Sequence, residues 1–342
     1  MKRRDFIPAA GIAAMAGYAG LKSRGEESLP EGPPGNSPVV IMRARTYQED
    51  LTSKILAGIK ECGLQVKGKR VLLKPNLVEF DSSTVINTDA ALVAAALQAF
   101  RTLKAREVRI GEGPGHRRDT YGLADEAGYR KAIHGFDDVF VDLNRDDVAP
   151  VTGFVDQSTM YFPHAAIGAD LIVSLAKMKT HHWAAATLSM KNLFGLVPGS
   201  VYGWPKNLLH YIGIPQSIVA LNRAFPRTFA IVDGVVGMEG NGPIQGTPKA
   251  VGALVMGSDL VAVDATCCRI MGIDPKKVEY LRLGAEFGHL GDSRIQQRGE
   301  SISAVQTDFN LIEDFRHYRL QTVAYHLSSM VQENPNPFGS AI

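Results

Sequence analysis

Short apolar runs alternate with longer helical patterns along most of the chain. The clearest helix covers 88–105, where Thr88 is the expected N-cap, Asp89 falls in the electropositive first turn and apolar residues recur at helical spacing. The strand candidates are 38-PVVIMRA-44, 70-RVLLK-74, 107-EVRIG-111, 138-DVFVDL-143, 170-DLIVSL-175, 228-TFAIVD-233 and 251-VGALVMG-257. Such alternation is typical of βαβ units, so the pattern predicts an α/β fold with mostly parallel sheets and flanking helices.

The order of these elements predicts a two-lobed chain. We expect a first α/β lobe at 38–150, a second at 160–300 and a polar C-terminal tail at 301–342. Open sheets of this class bind ligands beyond the carboxyl ends of their strands. A cleft between the two lobes is therefore the expected place for a site.

The amino-terminal stretch 1-MKRRDFIPAAGIAAMAGYAG-20 resembles a twin-arginine export signal, because Arg3 and Arg4 precede a mildly apolar region that ends in small residues. Residues 1–30 are thus predicted to be a signal and linker, with the twin-arginine translocation machinery as partner and a periplasmic or secreted location. An uncleaved anchor is the alternative. The apolar part is short and rich in Ala and Gly, so we expect no stable membrane span in the mature protein.

Composition and charge narrow the classes of partner. The chain is 45% hydrophobic and 21% charged, as in ordinary enzymes, and its formal net charge of +2 provides no general attraction for nucleic acid. Any affinity for anions must come from local clusters. The three cysteines, Cys62, Cys267 and Cys268, provide neither a disulfide framework nor the spacing for an iron–sulfur cluster or structural zinc. The adjacent pair is expected to be buried in a helix.

The segment 177–199 concentrates cationic and proton-carrying side chains just after an apolar strand. Lys177, Lys179 and Lys191 would repel one another unless an anion, solvent or a cofactor compensates, which favours a site for a small anionic ligand over a solvated loop. The apolar run 193–198 is expected to shield the amine of Lys191 from water.

Histidines add candidate acid–base and metal chemistry. His181 and His182 are neighbours, and in an extended chain neighbouring side chains point to opposite faces, so one is expected to serve the site and the other the scaffold. In 111-GEGPGHRRD-119, glycine amides with Arg117 and Arg118 are suited to a carboxylate or phosphate beside His116. A solvated turn is the alternative there.

Several polar side chains follow other strands. Lys74 and Asn76 follow the second, Asp233 ends the sixth before a glycine, and Glu239 and Asn241 lie in the glycine-rich 237–246. A carboxylate placed like Asp233 is typical of functional sites, and an N-cap or turn residue is nearly as common at such a position. Within an apolar helix, Asp264 needs a partner if it is buried.

The motifs 71-VLLKPN-76, 172-IVSLAKMKTH-181, 190-MKNLFGLVPG-199, 231-IVDGVVGMEGNGP-243 and 261-VAVDA-265 resemble the bacterial and archaeal family called domain of unknown function 362. The similarity runs from about Val39 to Gly291. Some members carry ferredoxin-type iron–sulfur modules, for which this chain lacks the cysteines. The resemblance names a family without naming an activity.

A fainter resemblance is to lactate racemase, through the ordered series His116-Arg117, His181, Lys191, Pro198-Gly199 and His210. That resemblance implies His116 and His181 as an acid–base pair, Lys191 as the attachment point of a nickel-pincer nucleotide and His210 as a nickel ligand. This chain has Ser189-Met190 where the racemase has two glycines before the lysine.

We therefore expect an exported enzyme that acts on a small anionic substrate by histidine acid–base chemistry, racemase- or epimerase-like, with a metal ion or nickel-pincer-type nucleotide as the candidate cofactor. The catalytic candidates are His116, His181 and Lys191. The substrate- or cofactor-binding candidates are Lys74, Asn76, Arg117, Lys177, Lys179, Asn192, Asp233, Glu239 and Asn241, and the metal candidates are His182 and His210. A periplasmic anion-binding protein without catalysis is the alternative.

Overall fold

The computed structural model describes residues 30, 32–117, 119–155 and 158–320. The predicted export signal, Arg118 and the final part of the predicted tail, 321–342, lie outside the described residues. The strands are β1 (Ser37–Arg43), β2 (Arg70–Pro75), β3 (Glu107–Glu112), β4 (Phe140–Asp142), β5 (Val148–Val151), β6 (Met160–Pro163), β7 (Leu171–His181), β8 (Ala185–Thr187), β9 (Thr228–Glu239), β10 (Thr247–Gly257) and β11 (Ile295–Gly299).

Helices connect and flank these strands. They are α1 (Leu51–Glu61), α2 (Ala90–Thr102), α3 (Thr120–Glu126), α4 (Tyr129–Ala132), α5 (Phe136–Val139), α6 (His164–Ile167), α7 (Ser189–Asn192), α8 (Gly199–Tyr202), α9 (Asn207–Ile212), α10 (Ile214–Ala224), α11 (Leu260–Ile270), α12 (Glu279–Gly284) and α13 (Ile302–Val305). Short 3-10 turns cover Leu193–Leu196, Pro275–Lys277, Asp292–Arg294 and Glu313–Tyr318. No helix in the described ranges is long and apolar enough to cross a membrane.

One nine-stranded sheet forms the centre of the molecule, in the order β11-β1-β10-β9-β7-β2-β3-β4, with β8 paired to β7. The run from β9 through β7, β2 and β3 to β4 is parallel, as is β1 with β11, whereas β10 and β8 pair antiparallel with their neighbours. The predicted α/β class with mostly parallel strands and flanking helices is confirmed. Because β2 pairs with β7, both predicted lobes contribute to this sheet, and the lobe boundaries stay predictions.

Two hydrophobic layers cover the faces of the sheet. On one side α1 and α2 pack Ile55, Ile59 and Phe100 against Leu73 and Val173. On the other, α10, α11 and α12 bury a second cluster that includes both adjacent cysteines, as expected for helix residues. Asp89 rather than Thr88 caps α2, because its carboxylate accepts from the Ala91 amide while the Thr88 hydroxyl donates to the carbonyl of Leu175.

Two strands run well beyond their predicted ends. Because β7 continues to His181, Lys177 and Lys179 lie within it rather than in a following loop, and Asp233 lies inside β9 instead of at its end. The apolar pattern stops at Leu175, but backbone pairing with β9 and β8 extends the strand. This extension carries the lysines and His181 to the carboxyl edge of the parallel strands.

Candidate functional site

A cavity of about 660 Å³ lies beyond the carboxyl ends of β2, β3 and β7. The segments after these strands form its walls, together with α7, α9 and the loop after β9. Ten of the side chains predicted from the sequence line it: Lys74, Asn76, His116, Lys179, His181, His182, Lys191, Asn192, His210 and Asn241. The expected position for a site in an open α/β sheet is therefore where these residues meet.

Lys177 and Asp233 do not line the cavity, which corrects their prediction as ligand-binding residues. They form an ion pair of 2.9 Å that is excluded from water. The Tyr47 hydroxyl donates to Asp233, and the Asp89 amide donates to the same carboxylate. The lysine charge is fully balanced, so this pair belongs to the scaffold.

Arg117 and Glu239 are also absent from the cavity wall. Arg117 pairs with Glu79 at 2.7 Å and Glu126 at 3.0 Å, so its charge is committed to other carboxylates. Glu239 accepts from the amide and side chain of Asn310 and forms an ion pair with Lys249. Both side chains therefore form ion pairs that link separate segments of the chain instead of facing a ligand.

At the base of the cavity, Lys74 forms a buried ion pair of 2.6 Å with Glu112. The same ammonium donates to the carbonyl of Pro75 and to Oδ1 of Asn192. Gly195 packs directly on this pair, and a Cβ there would overlap Glu112 and Lys74. The charge of Lys74 is already compensated, and its predicted role in binding a substrate or cofactor stays a prediction.

Two further buried lysines meet only neutral acceptors. Lys179 donates to the carbonyls of Ile86 at 2.8 Å and Pro243 at 3.2 Å. Burial, with added repulsion from Lys191, holds the pKa of Lys179 well below its usual range. Lys206 donates to the Gly113 carbonyl at 2.6 Å, and burial lowers its pKa to about 7.

Lys191 differs from the other amines because no hydrogen bond or ion pair holds it within the described part of the chain. Its Nζ lies 4.6 Å from the centroid of the Phe194 ring, in agreement with the shielding expected from 193–198. Burial and the neighbouring Lys74 lower the pKa of Lys191 to about 8. The amine thus lies at the cavity wall in a form that exchanges a proton near neutral pH.

A buried carboxylate fixes the short helix that carries Lys191. Asp264 on α11 accepts from the amides of Ser189 at 2.8 Å and Met190 at 3.0 Å, which are the first two donors of α7. The Ser189 hydroxyl donates to the same carboxylate. Burial raises the pKa of Asp264 to about 7. The partner that the sequence required for this carboxylate is therefore the start of α7.

The adjacent histidines both line the cavity, although the alternation of side chains in an extended chain would place only one of them there. His182 follows the last residue of β7, so strict alternation of faces no longer applies. His181 Nδ1 accepts from the amides of Trp183 and Ala184, which puts the proton of its neutral ring on Nε2. His182 Nδ1 faces the Gly242 carbonyl at 2.8 Å; a carbonyl only accepts, so in the neutral ring Nδ1 carries the proton and Nε2 has the lone pair.

Burial, with the positive charge of Lys191, holds the pKa of His181 well below its usual range. His181 is therefore a neutral hydrogen-bond donor, and its predicted part in acid–base chemistry stays a prediction. His116 and His210 are exposed at the cavity wall, and burial of part of its ring with repulsion from Lys191 lowers the pKa of His210.

The histidines do not by themselves form a metal centre. Among the residues that the structure describes, no three His, Cys, Asp or Glu side chains are grouped closely enough to hold a metal ion. His182 has a lone pair available on Nε2, whereas His210 contacts Trp183 through its ring at 5.5 Å. The side chains present thus do not fit a metal site built from protein ligands alone.

Two buried polar atoms in the cavity wall lack partners within the described residues. Asn76 Oδ1 and Thr187 Oγ1 make no hydrogen bond, although their residues are only 7% and 3% exposed. Buried polar atoms are usually satisfied, so a bound molecule or water is expected to reach them. The sequence predicted Asn76 but gave no signal for Thr187.

The charge of the cavity wall is strongly unbalanced. Lys74, Lys179, Lys191 and Lys206 line it, whereas Glu112 is its one carboxylate among the described residues. Since Glu112 pairs with Lys74, the other three amines face the cavity without an acidic partner. An anionic ligand is the natural complement of this arrangement.

A family model described as Domain of unknown function (DUF362) matches residues 71–269, more than half of the chain. The chain belongs to the DUF362 family. This confirms the family predicted from the sequence motifs. The DUF362 span runs from β2 to α11 and contains every residue that lines the cavity.

Among curated proteins, this DUF362 chain is 29% identical over 264 residues to thylakoid-associated protein sll1697 of Synechocystis sp. (strain ATCC 27184 / PCC 6803 / Kazusa), covering 73% of this chain and 79% of the relative. Among solved structures, it matches the lactate racemase apoprotein of Thermoanaerobacterium thermosaccharolyticum with a TM-score of 0.43 and 14% identity, covering 71% and 61% of the two chains. A Thermotoga maritima protein matches with a TM-score of 0.38 and 13% identity, covering 64% and 57%. The DUF362 chain thus spans about three-fifths of the length of these two solved chains.

Proposed function

We propose that this DUF362 protein is an enzyme that binds a small organic anion in the cavity and moves a proton on it. The observation that carries the proposal is the set of amines of Lys179, Lys191 and Lys206, which face one cavity without a compensating carboxylate. A bound anion would restore charge balance at low dielectric, where Coulomb attraction is strongest.

Binding and chemistry are assigned to different amines. Lys179 and Lys206 are anchored by backbone carbonyls, so their amines are fixed in position, and a bound anion would favour their protonated, hydrogen-bond-donating form. Lys191 has no such anchor and a pKa of about 8, which suits an amine that accepts and returns a proton near neutral pH. Lys191 is therefore the proposed base.

The histidines complete the proposed proton path. The Nε2 proton of neutral His181 is placed to donate a hydrogen bond to a substrate oxygen and so stabilise negative charge as a proton leaves the neighbouring carbon. His182, with its lone pair on Nε2, is the second proton acceptor. A racemase- or epimerase-like reaction needs one group that removes the proton and a second group, in its protonated form, that returns a proton to the other face. Lys191 and His182 are the proposed pair, with the neutral form of one accepting while the protonated form of the other donates.

Deuterium exchange tests the catalytic proposal on any anion that the cavity binds. Small chiral carboxylates and phosphate esters are first screened for binding, and those that bind are incubated with the protein in deuterated buffer. We expect loss of a carbon-bound proton signal by NMR with wild-type protein, and no loss with Lys191→Met. Lys67→Met, which removes an exposed lysine, is the matched control. Absence of exchange in every anion that binds would contradict catalysis.

A metal-containing cofactor and export also remain proposals. The resemblance to lactate racemase assigns a nickel-pincer nucleotide to Lys191, but the described histidines do not form a metal centre. Elemental analysis with intact mass spectrometry of natively exported protein tests both ideas. A stoichiometric metal or an added mass on Lys191 would support the cofactor, and cleavage within 1–30 would support the signal.

An anion-binding protein without catalysis is the second candidate. It is favoured by the anchoring of Lys179 and Lys206 to backbone carbonyls and by the hydrogen bonds that prevent His181 Nδ1 from accepting a proton. Tight binding of an anion without any exchange in the deuterium experiment would favour this candidate.

A further inference from the structure

Two aromatic side chains at the mouth of the cavity are unusually exposed. Trp183 is 62% exposed and Tyr211 is 86% exposed, the highest values among the large apolar residues of the described ranges. Both line the cavity. Leaving such large rings in water forgoes a substantial burial energy, so their position calls for a functional reason.

Trp183 is held in place although most of its surface is free. Its ring stands nearly perpendicular to the rings of His182 and His210, with centroids 4.5 Å and 5.5 Å away. Tyr211 follows His210 on α9, and both residues line the cavity together with Trp183. A ring approaching Trp183 would meet a side chain that is already oriented and has little further conformational freedom to lose.

The size of the cavity agrees with a ligand larger than a simple acid. At about 660 Å³ it falls within the range of sites that enclose drug-sized molecules, whereas the amines occupy only part of its wall. Its wall combines buried polar side chains, such as Lys74 and Asn192, with the exposed rings of Trp183 and Tyr211.

We propose that the ligand is an aromatic anion whose charged group meets the cavity lysines while its flat ring stacks against Trp183, with Tyr211 closing over the ring. The inference rests on the proposed anion site and names the class of ligand that this site takes. Stacking on Trp and Tyr does not require a particular ring, because every aromatic ring presents a π-face.

A matched pair of phosphate monoesters tests the inference. Methyl phosphate and phenyl phosphate share the anionic group and differ in the ring, and isothermal titration calorimetry measures the affinity of each. We expect wild-type protein to bind phenyl phosphate roughly tenfold more tightly or better. In Trp183→Ala the preference should fall to near unity while the affinity for methyl phosphate changes little. Trp183→Phe, which restores a ring, should recover most of the preference.

The control is Tyr161→Ala, because Tyr161 is 45% exposed but does not line the cavity. It should keep the wild-type preference. Equal affinities of the two esters for wild-type protein, or a preference that persists in Trp183→Ala, would overturn the aromatic subsite and leave the anion site standing. Failure of both esters to bind would overturn the anion site as well.

Discussion

Lys177 and Lys191 belong to the same short segment of the chain and end in opposite electrostatic surroundings. Lys177 points to a carboxylate, Asp233, at 2.9 Å and is enclosed by Tyr47. Lys191 lies at a cavity wall over Phe194, with other amines nearby and no acidic partner in the described chain. The sequence predicts both as site residues, yet only Lys191 reaches the cavity.

The difference teaches how to tell a structural buried charge from a functional one. A buried lysine that is paired with its own carboxylate, such as Lys177, needs no ligand to balance its charge. Removing the carboxylate leaves that charge uncompensated in the protein interior. A partly buried lysine without a carboxylate, such as Lys191, has a lowered pKa and gains from any anion that binds nearby. Charge balance in three dimensions, rather than lysine content, separates the two.

The largest expected loss of stability comes from breaking the buried ion pair between Lys177 and Asp233. Asp233→Asn leaves the Lys177 ammonium buried without its anion, and we expect a loss of about 3–5 kcal/mol in the free energy of unfolding. Urea denaturation measures it. Wild-type stability in Asp233→Asn would show that the pair contributes nothing and would remove the basis of the comparison.

A smaller loss is expected at the other buried pair. In Gly195→Ala the added methyl group would push against Lys74 and Glu112, and we expect about 1–3 kcal/mol of destabilisation in the same assay. Gly115→Ala is the matched control, because its nearest neighbour, the Pro205 carbonyl, lies at an ordinary contact distance of 3.8 Å. Equal losses in both variants would argue against close packing on the ion pair.

The unbalanced amines predict that stability rises with pH. The folded-state pKa is about 8 for Lys191 and about 7 for Lys206, below the ordinary value of 10.5. Between those values the unfolded chain binds more protons, so the free energy of unfolding should increase by at most about 1.4 kcal/mol per pH unit and per group. This contribution is lost as the pH falls through the folded-state values.

Lys191→Met separates this effect from other titrations. The variant removes an unpaired cation, so its stability near neutral pH should equal or exceed that of wild type by up to about 1 kcal/mol. The free energy of unfolding of Lys191→Met should also rise less steeply with pH than that of wild type. Lys67→Met should keep the wild-type slope. Unfolding curves across the alkaline range decide the matter, and a slope unchanged by Lys191→Met would contradict the assignment.

The sequence predicted the fold more completely than the site, and particular residues show why. The apolar runs at 70–74 and 170–175 predicted β2 and β7 because burial is encoded locally. The extension of β7 to His181 was not predicted, since its polar residues are accommodated by partners far along the chain such as Asp233. Lys206 and Thr187 were missed because only the fold brings them to the cavity.

Chemical roles depended on contacts that no local pattern contains. His181 was predicted to take part in acid–base chemistry, but the sequence could not show that two amides donate to its Nδ1 and leave Nε2 as a hydrogen-bond donor. Arg117 has the chemistry of an anion clamp, but the fold places Glu79 and Glu126 beside it. For Lys191, by contrast, the following apolar run indicated a shielded amine, and Phe194 provides that shield.

The central claim is that charge imbalance makes the cavity an anion site. The most direct test is calorimetric titration of wild type, Lys191→Met and Lys67→Met with methyl phosphate near neutral pH. The account predicts binding to wild type and Lys67→Met with equal affinity, and an affinity roughly tenfold lower or worse in Lys191→Met. Equal affinity in all three proteins, or no binding to wild type, would contradict it.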